Sequence, residues 1–186
     1  NTHHISVLNI VNDHCIQRKS MEKNQDGHVG IAIDASYCLI HNVLMTGAMD
    51  HEIDLGRARH CVFSQITAPD LTPDYHALGN GFNLFTDLNM GTGAPRFRSW
   101  DIQNGGHMGF KNETFWGLKS RSHIDFLTHE DTTVMVGIPN DSETNIGKDF
   151  HNEAIDPQDL IPANMYLAQM KATSGKVLPP VTELTI

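Results

Sequence analysis

Asp50-His51-Glu52-Ile53-Asp54-Leu55-Gly56-Arg57-Ala58-Arg59-His60-Cys61-Val62-Phe63-Ser64-Gln65-Ile66 is the stretch whose reading decides the fold. It reads as an alternating strand, a glycine turn carrying two arginines, and a second apolar strand. Both halves recur. Ile31 and Ile33 stand 22 residues before Ile53 and Leu55, and Cys15, Cys38 and Cys61 are spaced 23 apart. Each cysteine is followed by an apolar residue: Ile16, Leu39 or Val62. The frame continues without cysteine at Asn83-Leu84-Phe85 and then at Thr114-Phe115-Trp116. A repeat of this length, built from short apolar strands, is the signature of a solenoid.

Working outward, the first coil is expected from Ile5 to about Gly27, and the second holds Val29, Ile31 and Ile33 as an inward alternation. The fourth and fifth coils read as carrying insertions at 68–81 and 90–106, and a weaker sixth coil uses Ile124, Phe126, Val134, Val136 and Ile138. Insertions entering at one point of successive coils project on one side, often the binding face. Residues 139–159 are polar without a period, and 162–172 reads as a short helix expected to cover the strand edges of the last coil. The expected domain is therefore all-β: coils over 1–138, then a cap and tail over 139–186.

Composition narrows the class. The chain has 186 residues, 39% apolar and 19% charged, which suits one globular core. A net charge of −9 argues against a nucleic-acid partner. No apolar run approaches the ~18 residues of a membrane span. The three cysteines read as a buried thiol column, of which one neighbouring pair could oxidise; without a CxxC pattern zinc is not expected. No cofactor and no metal are expected. Gly91-Thr92-Gly93 lacks the setting of a phosphate loop, and no Gly-x-Ser-x-Gly motif occurs. Asn112-Glu113-Thr114 and Asn140-Asp141-Ser142 fit the glycosylation sequon. Strand pattern begins almost at Asn1, so the first coil is expected to stack on a preceding segment or another chain.

The coil spacing, the inward Ile/Val/Leu/Phe/Cys columns and Asn83-Leu84-Phe85-Thr86-Asp87-Leu88 resemble a right-handed parallel β-helix of the pectin-lyase-like superfamily. Pro162-Ala163-Asn164-Met165-Tyr166-Leu167-Ala168-Gln169-Met170 resembles the closing segment of some bacterial polysaccharide-degrading members. The resemblance covers roughly residues 5–170, over the five to six coils read from the repeat. The superfamily contains polysaccharide lyases, glycoside hydrolases, epimerases, phage tailspikes and non-enzymatic extracellular proteins.

Three residue sets could carry chemistry. With Ile53 and Leu55 inward, Glu52 and Asp54 are expected outward on one face, about 6.6 Å apart along the strand. Rotamers can set their carboxyls ~5–9 Å apart, the range of glycosidase acid/base pairs. Gly30 and Ala32 on the previous coil would leave room for a sugar ring; the plain alternative is a solvated strand face. His28, His51, His76 and His107 each precede a coil anchor by 7 or 10 residues, which suits a corner column, a structural stack or a general acid/base in His51 or His76. Arg57, Arg59, Arg96 and Arg98 form a basic set in an acidic chain, able to bind carboxylate or sulfate, with Trp100 as a stacking platform.

The expectation is a secreted protein that cleaves an acidic or sulfated polysaccharide, as lyase or glycoside hydrolase. His51, Glu52, Asp54 and His76 are the catalytic candidates; Arg57, Arg96, Arg98, Trp100 and His107 are the substrate-binding candidates. The alternative is a non-catalytic extracellular β-helix used for binding or assembly.

Overall fold

The computed structural model describes residues 4–13, 27–47, 49–76, 79–92, 95–99, 112–126, 133–139 and 151–175. Among them are twelve strands and one helix. The strands are β1 (Ser6–Asn12), β2 (Gly27–Ile33), β3 (Leu39–Met45), β4 (Met49–Leu55), β5 (Val62–Thr67) and β6 (Pro73–Tyr75). They continue as β7 (Leu84–Asn89), β8 (Arg96–Ser99), β9 (Thr114–Lys119), β10 (Asp125–Phe126), β11 (Val134–Val136) and β12 (His151–Glu153), followed by helix α1 (Met165–Ser174). The odd strands through β11, with β12 added at the end, form one parallel sheet in the order β1-β3-β5-β7-β9-β11-β12. The even strands form a second, β10-β8-β6-β4-β2. From β2 to β11 the chain passes between the two sheets and advances one strand at each return, a topology consistent with a β-helix-like solenoid.

In-register columns build the core. Val7, Ile40, Phe63, Phe85, Phe115 and Met135 face one another along the larger sheet. Phe63 and Phe85 stack at 4.7 Å, and Phe85 and Phe115 at 5.1 Å. From the smaller sheet, Phe97 meets Phe115 edge-on at 4.7 Å and stacks on Phe126 at 5.0 Å. The Phe97–Phe115 contact crosses between the sheets, and together these rings exclude water, the main driving force for the fold. The repeat register Ile31↔Ile53 and Ile33↔Leu55 is as the spacing implies.

Two columns of left-handed backbone shape each pass. Asn9, Asn42, Gln65 and Asp87 have φ of 57°, 57°, 53° and 56°, each at the fourth residue of its strand. That residue bends the strand and restarts the in–out alternation, so the larger sheet turns a corner. Gly117 and Gly137 continue this column, and Leu160 lies against both; a Cβ on Gly137 would meet Leu160 Cδ2 at 2.7 Å. A second column, His4, Tyr37, His60 and Phe82, precedes the odd strands with φ between 54° and 60°. Left-handed backbone costs a bulky residue about 1–3 kcal/mol. Here the rings offset it by stacking in series at 5.4, 5.0 and 5.0 Å.

Several expectations need correction. Residues 68–81 and 90–106 are not simple insertions, because β6 and β8 lie inside them and belong to the smaller sheet. Pro73 sits at a strand start, where its missing N–H is tolerated. The repeat frame at the fifth pass is one residue early, since Leu84 pairs with Thr114 and Glu113 therefore takes the position of Cys61 and Asn83. Cys38 and Cys61 are buried free thiols; Cys15 lies outside the described residues. Helix α1 does not cover the last strand edges. It docks on the outer flank of the larger sheet, where Asn164 Nδ2 donates to Ser64 Oγ (2.9 Å) and Met165 N–H to Thr86 Oγ1 (2.9 Å). Trp116 Nε1 donates to the carbonyl of Pro162 at 2.7 Å. Polar side chains on that flank offered partners that bare strand edges did not. No described helix is long and apolar enough to cross a membrane.

Candidate functional site

The smaller sheet carries the site, and β4 and β6 set its spacing. Ile53 and Leu55 anchor β4 in the core, while Tyr75 anchors β6. With those residues inward, Asp54 and Asp74 fall side by side on neighbouring strands in register. Ala32 occupies the next position on β2 and Arg98 the next on β8. His51 Nδ1 lies 3.1 Å from Asp74 Oδ2, and His76 Nε2 lies 3.3 Å from the same oxygen. His76 Nε2 is also 3.7 Å from Asp54 Oδ2. On the far side, Asp50 Oδ2 stands 3.3 Å from His51 Nε2 and 3.4 Å from His28 Nδ1. The rings of His28, His51 and His76 meet edge-on at 4.9 and 5.2 Å.

The result is an alternating chain of imidazoles and carboxylates graded in exposure. The side chains of His51 and Asp74 are 3% and 1% exposed, whereas those of His76 and Asp54 are 30% and 21% exposed. Polar side chains this deep are held by hydrogen-bonding or charged partners. His28 and Asp50, at 52% and 24%, are open at one end of this chain of groups, and His76 and Asp54 at the other.

Glu52 is the principal correction. It is wholly buried, and its carboxylate accepts from the N–H groups of Met49 (2.9 Å) and Thr72 (2.7 Å). Burial pushes its pKa up to about 7 against those two bonds. Glu52 thus ties β4 to the turn before β6 and does not pair with Asp54 on an outer face. Gly30 does not open space for a sugar either: a Cβ there would meet the Glu52 carbonyl oxygen at 2.6 Å.

The arginines disperse. Arg57 is exposed and lies 3.6 Å from Asp34. Arg59 lies over the Phe82 ring at 5.7 Å, and Arg96 is exposed on β8 opposite Asp125 in register. Arg98 is placed beside Asp74 by its backbone register alone. Trp100 and His107 lie outside the described residues. A separate cleft of about 250 Å³, lined by Lys119, Ile138 and Asp156 among others, includes none of the histidine–aspartate group.

Of the sequence candidates, His51, Asp54 and His76 meet in one place, joined by His28. Asp74 and Asp50 were missed. Asp74 sits in Pro73-Asp74-Tyr75-His76, where the available signal was an alternation around one buried aromatic.

A second buried carboxylate plays the part of Glu52 elsewhere. Glu113 Oε2 accepts from Asn83 N–H at 2.7 Å and Oε1 from Asn83 Nδ2 at 2.9 Å. Asn83 in turn accepts from Cys61 N–H and donates to the Ala58 carbonyl. Burial holds the Glu113 carboxyl well above the usual range. These two glutamates are structural ties between turns.

In comparisons with known proteins, the chain matches no family model, no curated protein and no solved structure.

Proposed function

We propose that the chain is a right-handed parallel β-helix of the pectin-lyase-like kind, acting outside the cell, and that it cleaves an acidic polysaccharide by elimination on the outer face of the smaller sheet. The observation that carries this reading is the reachable pair Asp54 and His76, backed by buried Asp74 and His51 within 3.1–3.7 Å contacts. Asp54 takes the proton from the carbon beside a uronate carboxyl, with His76 3.7 Å away to orient it. The bond from the neighbouring carbon to the glycosidic oxygen breaks, a carbon–carbon double bond forms, and the base passes the proton it took to the leaving oxygen. Arg98, in register with Asp74 on the next strand, is the candidate partner for the uronate anion.

Elimination fits better than hydrolysis. A glycosidase needs two reachable carboxyls about 5–9.5 Å apart. Glu52 and Asp74 are buried, and the two partly exposed carboxylates stand apart in the group, Asp54 beside His76 and Asp50 beside His28 and His51, so each is paired with imidazole rather than with a second carboxyl. Incubation with a panel of uronate polysaccharides tests the reading. Ultraviolet absorbance of an unsaturated uronate product is the expected result. New reducing ends without that absorbance would indicate hydrolysis, and binding without turnover would indicate a non-catalytic module.

A further inference from the structure

We infer that His51, Asp74 and His76 form a binding site for one divalent transition-metal ion of the zinc class. Each offers one ligand atom, and those atoms all lie within 4.8 Å of one another. His51 Nδ1 and His76 Nε2 stand 3.1 and 3.3 Å from the shared Asp74 Oδ2. A charged hydrogen bond between imidazolium and carboxylate is about 2.7–2.9 Å long, shorter than either. Ligands of a tetrahedral zinc, each about 2.0–2.1 Å from the metal, lie about 3.3 Å from each other, which matches both separations.

The surroundings fit as well. A metal-bound histidine usually donates its other ring N–H to a carboxylate, which fixes the tautomer. His51 has Asp50 Oδ2 3.3 Å from Nε2, on the side away from Asp74. With a metal on Nδ1, Asp50 is the carboxylate placed to receive the Nε2 proton. Asp54 Oδ2, 3.7 Å from His76 Nε2, is placed for the fourth position or for a water or substrate oxygen held there. Two imidazoles and a carboxylate select zinc-like ions over calcium and magnesium, which prefer oxygen ligands throughout. The scaffold is rigid, because β4 and β6 are in register and Leu55 and Tyr75 beside the ligands are fixed in the core.

This site does not depend on the polysaccharide reading. If both hold, His76 serves as a ligand and Asp54 remains the side chain that moves a proton.

The test is calorimetric titration of the metal-stripped full chain with zinc chloride, with calcium chloride as the comparison. The expected result is one zinc ion per chain, at least tenfold tighter than calcium. His76→Ala and Asp74→Asn should each weaken zinc binding on the order of tenfold or more, and Asp50→Asn by about 10–100-fold. Circular dichroism checks that each variant folds; because Asp74 is buried, the partly exposed His76 provides the decisive variant. Failure to bind zinc, or unchanged affinity in folded His76→Ala, overturns the site. Zinc binding without polysaccharide turnover would support the site while the enzymatic reading fails alone.

Discussion

Glu113→Gln separates the two forces acting on the buried glutamates. Glu113 is wholly enclosed and faces two donors of Asn83, at 2.7 and 2.9 Å. As a carboxylate it satisfies both but bears the desolvation of a charge. As a neutral acid it keeps one acceptor and turns an O–H toward the other donor. Glutamine has the same one-acceptor mismatch, a cost of about 1–3 kcal/mol for a buried donor left unmet. Asn83 cannot flip to relieve it, since its oxygen accepts from Cys61 N–H and its nitrogen donates to Ala58. Burial raises the native pKa of Glu113 above its ordinary 4.5. Between the unfolded and native values, the native state holds a proton that the unfolded chain has lost, so stability falls as pH rises. The slope reaches about 1.4 kcal/mol per pH unit inside that window. Glu113→Gln has no such slope. Glu52, pushed up to about 7, titrates in both proteins and cancels in the difference. Urea unfolding at a series of pH values should therefore show the two proteins of similar stability near about pH 4.5, with the glutamine variant pulling ahead as pH rises. A difference that stays flat, or in which the wild type gains with pH, would show that the Asn83 donors outweigh burial.

Two other perturbations address the periphery and the thiols. Asn164→Ala removes the N-cap bond to Leu167 N–H and the bond to Ser64, and should weaken docking of α1 by about 1–2 kcal/mol. Amide exchange in Met165–Ser174 should quicken while β5 stays protected; unchanged exchange would refute that anchoring. Cys38 and Cys61 are 4% and 1% exposed, and burial pushes the Cys61 thiol up to about 11. Ellman's reagent, read out by peptide mapping, should leave both unlabelled until denaturant is added, and rapid native labelling of either would contradict the packing.

The repeat was legible where side chains alternate undisturbed. Ile31, Ile53, Cys38 and Cys61 announced two strands and a turn per pass, and those pairs are in register. The smaller sheet was harder to see beyond β4. Strand β6 is three residues long and begins with proline, so hydrophobic period alone could not distinguish it from a loop. Asp74 was hidden with it. The orientation of Glu52 was illegible for another reason: strict alternation places it outward, but the N–H groups of Met49 and Thr72 need an acceptor, and a buried carboxylate supplies both bonds. Likewise, the bends at Asn42, Gln65 and Asp87 restart the alternation mid-strand, which a two-residue period does not anticipate. His51, Asp54 and His76 were recognisable because residue type and repeat position pointed the same way.

The measurement that bears most directly on the proposed chemistry compares wild type and Asp54→Asn on the uronate polysaccharide panel, followed by the ultraviolet signal of the unsaturated product. Asp54 is partly exposed and makes one long contact with His76, so the variant should unfold within about 0.5 kcal/mol of wild type. Loss of a general base or acid lowers turnover by about 10²–10⁴-fold. The account predicts product from the wild type and a loss of that size in Asp54→Asn at unchanged stability. Equal rates in the two proteins, or no product from the wild type on any acidic polysaccharide, would contradict it.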